Sequence, residues 1–224
     1  MGNFDFNMEG ESFSSQSYLK PYTINEVKLT KFEVGTLKGV KNPDTEYKIV
    51  TIEFTGTDKN PGIFSTNLFF PTAPDGLERP KFKNQQGHEY ENPSRFEQFK
   101  YTLSQLVAVL APEKLEIVKK KAGSVKTLED FVEIFSRVLN AHKDVVTNLK
   151  LVGRNSNGTV YASLPQACGL SKDGKLYAKN FVGNNLTFTA YEMQQSKALN
   201  NAKPTDVEKE TEASDDLGDL LSDL

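Results

Sequence analysis

The chain has 224 residues, of which 37 % are hydrophobic and 25 % are charged, with a formal net charge of −3. That length accommodates one domain with tails, or at most two small domains. No apolar run is long enough for a membrane span, and residues 1–18 contain neither the basic nor the apolar region of a signal peptide. A single cysteine, Cys168, excludes an internal disulfide and a cysteine-rich zinc site. These features predict a cytoplasmic protein that does not contact a membrane.

The negative charge is concentrated in one part of the chain. Residues 204–224 contain eight acidic residues and one basic residue, Lys209. Subtracting these from the 30 acidic and 27 basic residues of the whole chain leaves 22 and 26, a balance of +4. Residues 1–19 contain three more acidic residues and no basic one, so residues 20–203 carry +7. A basic body with an acidic tail is therefore the charge pattern that a functional interpretation has to explain.

The first part of the chain is predicted to form strands. Residues 1–20 are rich in glycine, serine, asparagine and glutamine, so we expect a flexible arm there. β-Branched and aromatic residues then predict strands over 22–34, 47–55 and 63–70, of which the second is the clearest. A long polar loop over 71–93 follows these strands.

Helical periodicity begins after this loop. Ser94 and Glu97 form the capping-box pattern, which predicts the start of a helix. Apolar residues at helical spacing continue over 112–123 and 127–142, so we predict a helical insertion over 94–142. Four further strands are predicted over 148–152, 159–164, 176–178 and 186–191. The hairpin dipeptide Asn157-Gly158 joins the first two of them. The polar, acidic residues from Ser196 onward predict a disordered tail over 196–224.

The order of these elements predicts the fold class. Three strands, a helical insertion and then two or more strands indicate a mainly β fold, an OB-like β-barrel with helices between strands 3 and 4. This domain would extend over 21–195. An OB-fold binds oligonucleotides along one face of its barrel. Other α+β folds have the same order of elements, so the order suggests this architecture without specifying it.

The sequence contains no recognisable catalytic or cofactor-binding pattern. It has neither the phosphate-binding glycine-rich loop nor the dinucleotide-binding one. The two histidines, His88 and His142, lack the spacing of zinc ligands, and Cys168 has no histidine close in sequence and is expected to be a buried apolar residue. We therefore predict a non-enzymatic protein with no metal site and no cofactor.

Residues 79–83, Arg-Pro-Lys-Phe-Lys, are the strongest local indication of nucleic-acid binding. Arg79, Lys81 and Lys83 surround Phe82 in a predicted loop. Single strands are held by cations along their backbone and by aromatic rings on which the bases stack. The alternative is a solvated basic loop with Phe82 packed into the core, and the sequence leaves both interpretations open.

Two predicted strands add candidates to this surface. If the apolar residues of the second strand face the barrel interior, alternation places Tyr47 outside. On the first strand, inward-facing Val27 and Leu29 would leave Lys28 and Phe32 outside. Lys28, Phe32 and Tyr47 are therefore predicted to share one DNA-binding face. The alternative for either aromatic residue is packing beneath the helical insertion.

The predicted hairpin around Asn157 carries Arg154 and Tyr161. Its position resembles the loop between strands 4 and 5 with which OB-folds bind oligonucleotides. Lys175 and Tyr177 form a further combination of a basic and an aromatic side chain. We predict DNA contacts for these four residues as well.

The acidic tail carries a different pattern. Its four leucines follow the spacing i, i+3, i+4 and i+7, so on a helix they would form one stripe. Such a segment would order on docking into an apolar groove with a basic rim. A tail that only increases solubility is common but needs no spaced leucines, so we favour docking. The predicted partner-binding residues are Asp215, Asp216, Leu217, Asp219, Leu220, Leu221, Asp223 and Leu224.

The strand order over about 22–191 and the acidic, leucine-bearing tail resemble the single-stranded DNA-binding proteins of bacteria and, more closely, of bacteriophages. The resemblance implies binding of single-stranded DNA, in the cytoplasm of an infected bacterial host if the chain is phage-encoded. It also implies that the tail recruits polymerases, helicases or primases, and recombination proteins, and competes with DNA for the basic groove. The oligomeric state stays open, a homo-oligomer included.

We therefore predict a replication, recombination and repair protein that binds single-stranded DNA with little sequence preference. Its affinity should fall with salt, and removal of residues 204–224 should strengthen DNA binding. One alternative is a structural or assembly module whose acidic tail binds a basic partner. Another is an accessory protein that anneals strands or prefers duplex DNA or RNA.

Overall fold

The computed structural model describes residues 17–39, 43–72, 76–83, 86–156, 158–165, 169–170, 176–177 and 179–201. The predicted arm up to residue 16 and the tail from residue 202 lie outside these ranges. The chain divides into two compact units, residues 1–187 and residues 188–224. All the strands and the first three helices belong to the first unit, and the last helix belongs to the second.

The described residues form nine strands and four helices. The strands are β1 (Thr23–Lys38), β2 (Glu46–Gly56), β3 (Ile63–Phe69), β4 (Lys81–Lys83), β5 (Glu89–Glu91), β6 (Val146–Ser156), β7 (Thr159–Ser163), β8 (Gly169–Leu170) and β9 (Leu176–Tyr177). The helices are α1 (Arg95–Leu110), α2 (Leu115–Ala122), α3 (Leu128–Asn140) and α4 (Ala190–Asn201), with a 3-10 turn at Pro112–Lys114 before α2. The fold is therefore mixed α/β, and the prediction of a mainly β fold is corrected accordingly.

Five strands form one antiparallel sheet in the order β3-β2-β1-β6-β7. The first three strands are consecutive neighbours, and β6 returns after the helices to lie beside β1, which is the order of a Greek key. The helices α1–α3 lie between the third and fourth strands of this sheet, as predicted. Among the described residues, no pairing joins β3 to β7, so the sheet is not closed into a barrel.

One face of the sheet, here called the inner face, is covered by the helices. Val50, Ile52 and Phe54 of β2 have no exposed surface, as the alternation predicted. They belong to one apolar cluster with side chains of α1, α2 and α3. Beside β3, the ring of Phe70 meets Phe99 of α1 at 5.8 Å. The opposite face of the sheet is here called the outer face.

A β-bulge changes the alternation of β1. Val27 and Leu29 face inward and are completely buried. The register between β1 and β2 then shifts between Leu29 and Lys31, which is the effect of one extra residue, Thr30, in the bulged strand. The next core residue is consequently Phe32, three positions after Leu29, and it is 1 % exposed.

Side-chain caps fix the start of α1 and α3. The Ser94 hydroxyl accepts a hydrogen bond from the Glu97 backbone N–H at 3.1 Å, and the Glu97 carboxylate accepts one from the Ser94 N–H at 2.9 Å. The predicted capping box is therefore confirmed. The Thr127 hydroxyl caps α3 by accepting from the Asp130 N–H at 3.1 Å. A cap of this kind stabilises a helix by about 1 kcal/mol.

The region around α4 differs from the prediction. Residues 186–189 are not in a strand and α4 begins at Ala190, so the predicted strand over 186–191 is wrong. Thr189 and Glu192 form a reciprocal cap, with the Glu192 N–H donating to the Thr189 hydroxyl at 3.2 Å and the Thr189 N–H donating to the Glu192 carboxylate at 2.7 Å. This Thr-x-x-Glu pattern outweighs the β propensity that Thr187, Phe188 and Tyr191 give the segment. Since α4 continues to Asn201, the predicted disorder is also wrong for 196–201.

Candidate nucleic-acid interface

An exposed aromatic pair lies on the outer face of the sheet. Tyr47 of β2 and Phe69 of β3 meet edge to face, with ring centroids 6.0 Å apart and ring planes at 82°. They are 43 % and 52 % exposed. Leu37 of β1, directly opposite Tyr47, is also exposed and extends the apolar surface. Tyr47 and Phe69 present ring edges and faces of the kind on which bases stack.

Polar side chains continue this surface along the same strands. The Thr51 hydroxyl donates to the side-chain oxygen of Asn67 at 2.9 Å. Further along, the Thr30 hydroxyl donates to the Glu53 carboxylate at 3.1 Å. Hydroxyl and amide groups contact phosphate and sugar oxygens in protein–DNA interfaces. The outer face therefore combines exposed rings with short polar groups.

Cations on β1 are sparse and partly neutralised. Lys28 is exposed and lies on the outer face opposite Thr55 of β2. Thr55 and Tyr47 are eight positions apart on one strand, so Lys28 lies about 26 Å from the aromatic pair along the sheet. Lys31 forms an ion pair with Glu33 at 3.0 Å, whereas Lys28 has no ion pair among the described residues.

Arg154 of β6 and Tyr161 of β7 lie directly opposite each other. Tyr161 is 57 % exposed and Arg154 is exposed, with no ion pair in the part of the chain that the structure describes. Val146 of β6 pairs with Lys28, and alternation from Val146 places Arg154 on the outer face. The structure thus brings four of the predicted DNA-binding residues to one face, Lys28, Tyr47, Arg154 and Tyr161.

The predicted polar loop over 71–93, which carries the basic motif 79–83, contains an unpredicted hairpin, β4–β5. Lys81 lies opposite Glu91 and Lys83 opposite Glu89, and the two pairs have N–O distances of 3.9 Å and 3.2 Å. Each lysine of the motif therefore has a carboxylate as its cross-strand neighbour. The positive charge expected from the sequence is balanced within the hairpin.

The aromatic residue of this motif is paired as well. Phe82 stacks on Tyr90 of β5, with centroids 5.6 Å apart and planes at 21°. Phe82 is 42 % exposed and Tyr90 is 48 % exposed. Phe82 is therefore neither packed in the core nor surrounded by free cations, and its role in DNA binding stays a prediction.

Arg79 is held by helix α1. Its guanidinium donates to both carboxylate oxygens of Glu97, at 3.1 Å and 3.2 Å from Nε. These hydrogen bonds from Arg79, together with that from the Ser94 backbone N–H, lower the pKa of Glu97 to about 2. The same carboxylate thus caps α1 and fixes the segment that leads into β4.

Phe32 does not face outward, and this part of the prediction is wrong. The bulge at Thr30 turns Phe32 to the inner face, where it is 1 % exposed. Its backbone carbonyl accepts a hydrogen bond from the Asn140 side chain of α3 at 3.1 Å. Phe32 therefore packs beneath the helical insertion, the alternative that the sequence left open, and cannot stack on a base.

Phe69 was missed by sequence reasoning, although a signal was available. The run Leu68-Phe69-Phe70 looks wholly apolar, but alternation from Phe64, which is 5 % exposed, assigns Phe69 to the outer face. The side chains of other predicted site residues lie outside the described residues, namely Lys175, Tyr177, Asp215, Asp216, Leu217, Asp219, Leu220, Leu221, Asp223 and Leu224.

The chain matches no protein-family model and no curated protein. In the described part of the chain, no helix has both the length and the apolar character needed to cross a membrane. No group of three or more histidine, cysteine, aspartate and glutamate side chains within the described ranges is placed to hold a metal ion.

Proposed function

We propose that the protein binds single-stranded DNA on the outer face of its sheet, without catalysing a reaction, as a replication and recombination protein. The observation that carries this proposal is the exposed pair of Tyr47 and Phe69 on the β1-β2-β3 meander. The Greek-key strand order supports an OB-like barrel that is partly open, and such barrels bind oligonucleotides on the face of strands 2 and 3.

Stacking is the main source of affinity in this proposal. Each base that stacks on an aromatic ring contributes roughly 1–3 kcal/mol, whatever its identity. Arg154 and Lys28, which have no ion pair among the described residues, would neutralise phosphates. Glu33 and Glu53 share the face, so we expect few released counterions and a shallow dependence of affinity on salt.

The acidic tail supplies the second half of the proposal. The segment from Asp215 to Leu224 combines acidic residues with a leucine stripe. We propose that it docks polymerases, helicases or primases, or recombinases, and so brings them to DNA that the sheet has bound. The setting would be the bacterial cytoplasm.

Fluorescence anisotropy of a labelled poly-dT oligonucleotide, titrated with the full-length protein at two salt concentrations, tests the proposal. We expect binding that weakens as salt rises. Labelled duplex DNA and RNA of equal length, titrated in parallel, test the preference for single-stranded DNA. A full-length variant with Asp215, Asp216, Asp219 and Asp223 changed to asparagine reports whether the tail competes with DNA. Absence of binding to every nucleic acid at low salt would overturn the proposal.

A structural or assembly protein is the second candidate. The observation in its favour is the neutralised hairpin, in which Glu89 and Glu91 balance Lys83 and Lys81. The apolar surface of Leu37, Tyr47 and Phe69 would then contact another protein, as exposed apolar patches commonly do. This candidate predicts no oligonucleotide binding at physiological salt, so the same titration separates it from the first.

A further inference from the structure

Residues from α1, α2 and α3 line an apolar groove of about 670 Å³, here called the helical groove. Phe96, Leu128, Phe131 and Phe135 supply much of its apolar surface, together with Leu77 from the segment before β4. Binding sites for small molecules have volumes of roughly 300–1,000 Å³ and mostly apolar walls that carry a few polar groups. The helical groove therefore has the size and the lining of a small-molecule site.

Three lysines also line the helical groove, and none of its described lining residues is acidic. The Lys100 ammonium lies 4.6 Å from the centroid of the Phe96 ring, so its charge lies beside the apolar surface. Lys119 forms an ion pair with Glu116 at 2.8 Å, which partly balances its charge. Lys100 and Lys126 have no ion pair among the residues that the structure describes. The helical groove therefore combines apolar surface with positive charge that no carboxylate of its lining balances.

We propose that the helical groove binds a small amphipathic anion, an apolar body that carries one carboxylate. The apolar body would leave water on entering the space between Phe96, Phe131 and Phe135, which favours binding. The carboxylate would pair with the ammonium group of Lys100 or Lys126. A cation would be repelled by the same lysines, and an uncharged ligand would gain nothing from them. Complementarity of charge therefore selects an anion.

This site is separate from the proposed DNA-binding surface. The helical groove is lined by side chains of α1–α3 and of the segments beside them, whereas Tyr47 and Phe69 lie on the outer face of the sheet. The inference goes beyond the proposed function and does not require that the sheet binds DNA. A test without DNA therefore distinguishes its failure from failure of the proposed function.

NMR titration of the ¹⁵N-labelled full-length protein with octanoate, decanoate and dodecanoate, each below the concentration at which it forms micelles, tests the proposal. We expect saturable shifts of the backbone amides of Lys100, Gly123 and Lys126, and none at Tyr47 or Phe69. Each added methylene should lower the dissociation constant about fourfold, because it buries further apolar surface. Octan-1-ol, which has the chain of octanoate without its charge, should bind about threefold more weakly than octanoate.

Variants at exposed positions test the role of charge without disturbing the buried core. Lys126→Gln should weaken octanoate binding about threefold and leave octan-1-ol binding unchanged. Lys120→Gln is the matched control, because Lys120 is exposed on α2 but does not line the helical groove. Leu77 is 58 % exposed. Leu77→Glu should weaken octanoate binding more than Leu77→Gln does, because only the glutamate places a negative charge at the groove.

Three results would overturn the proposal. The first is the absence of saturable shifts at the helical groove, or shifts centred on Tyr47 and Phe69 instead. The second is equal affinity for octanoate and octan-1-ol, or equal effects of Lys126→Gln and Lys120→Gln. The third is a shift of the groove amides when the ligand-free protein is diluted, since a second copy of the chain would then occupy the groove.

Discussion

Among the described residues, two contacting pairs of aromatic side chains are exposed, and their surroundings differ. Tyr47 and Phe69 lie on the outer face of a five-stranded sheet and come from separate strands of the meander. Phe82 and Tyr90 are equally exposed but lie in a hairpin of two short strands. In the hairpin, the flanking lysines and glutamates are paired with one another.

This difference shows why a contiguous motif is a weak indicator of a binding surface. The motif over 79–83 looks basic in the sequence because the acidic residues that neutralise its lysines lie outside it. These residues belong to β5 and follow their lysines by six or more positions. The outer face of the sheet corresponds to no contiguous motif, because it forms only when strands that are distant in sequence pair with one another. Whether a lysine or arginine can attract an anionic ligand therefore depends on whether a carboxylate lies beside it in the folded chain.

Phe32 gives the largest expected effect and tests the assignment of the two faces. Phe32→Ala should lower the free energy of unfolding by about 3–5 kcal/mol, because it leaves a cavity beneath the helices. Tyr47→Ala, the matched change on the outer face, should cost no more than about 1 kcal/mol. Urea unfolding of both variants measures this. Equal losses in the two variants would contradict the position of the bulge.

Glu97→Gln tests how much the Glu97 carboxylate, which holds Arg79 beside the hairpin, contributes to stability. The pKa of Glu97 is about 2 in the folded protein. This folded-state pKa lies below the ordinary value of a glutamate. The contribution of the Glu97 carboxylate to the free energy of unfolding is therefore complete above about pH 5 and is lost as the pH falls toward 2. The carboxylate should contribute on the order of 2–3 kcal/mol at neutral pH.

Unfolding free energies at pH 7 and pH 3 measure this contribution. The original protein should lose more stability between the two pH values than Glu97→Gln does. Glu133→Gln is the control, because the ion pair of Glu133 with Arg137 is largely exposed and should contribute less than about 0.5 kcal/mol. If the free energy of unfolding depends on pH equally in the original protein and in the Glu97→Gln variant, another carboxylate is responsible for that dependence.

Arg154→Ala gives a smaller effect and tests how far the outer face extends. Loss of one phosphate contact should weaken oligonucleotide binding severalfold and reduce the slope of log affinity against log salt by about 0.7. Arg137→Ala, on the exposed side of α3 and paired with Glu133, should change neither quantity. An unchanged salt slope in Arg154→Ala would confine the interface to the β1-β2-β3 meander.

Much of the fold could be predicted because it follows from local patterns. Alternation in β2 located Val50, Ile52 and Phe54 in the core, and Ser94 with Glu97 marked the start of α1. The helical insertion was placed between the correct strands. The Thr-x-x-Glu cap of α4 was equally local, but the apolar residues around it were interpreted as a strand.

The rest depended on pairing between distant residues. A bulge adds one residue without any clear mark in the sequence, so the inward turn of Phe32 could not be predicted. The ion pairs of β4 with β5 required knowledge of a hairpin in a segment that looks like a polar loop. Tyr47, Arg154 and Tyr161 were identified singly, but their common face emerges only from the order of the strands.

The most direct test of the central claim compares the two exposed aromatic pairs in one titration. Labelled poly-dT is titrated with the full-length protein, with Tyr47→Ala/Phe69→Ala and with Phe82→Ala/Tyr90→Ala. Loss of the sheet-face pair should weaken binding by at least about tenfold, because stacking of the bases is lost. Loss of the hairpin pair should change the affinity by less than about twofold, since its lysines are already neutralised. The reverse order, or equal effects, would contradict binding on the outer face of the sheet.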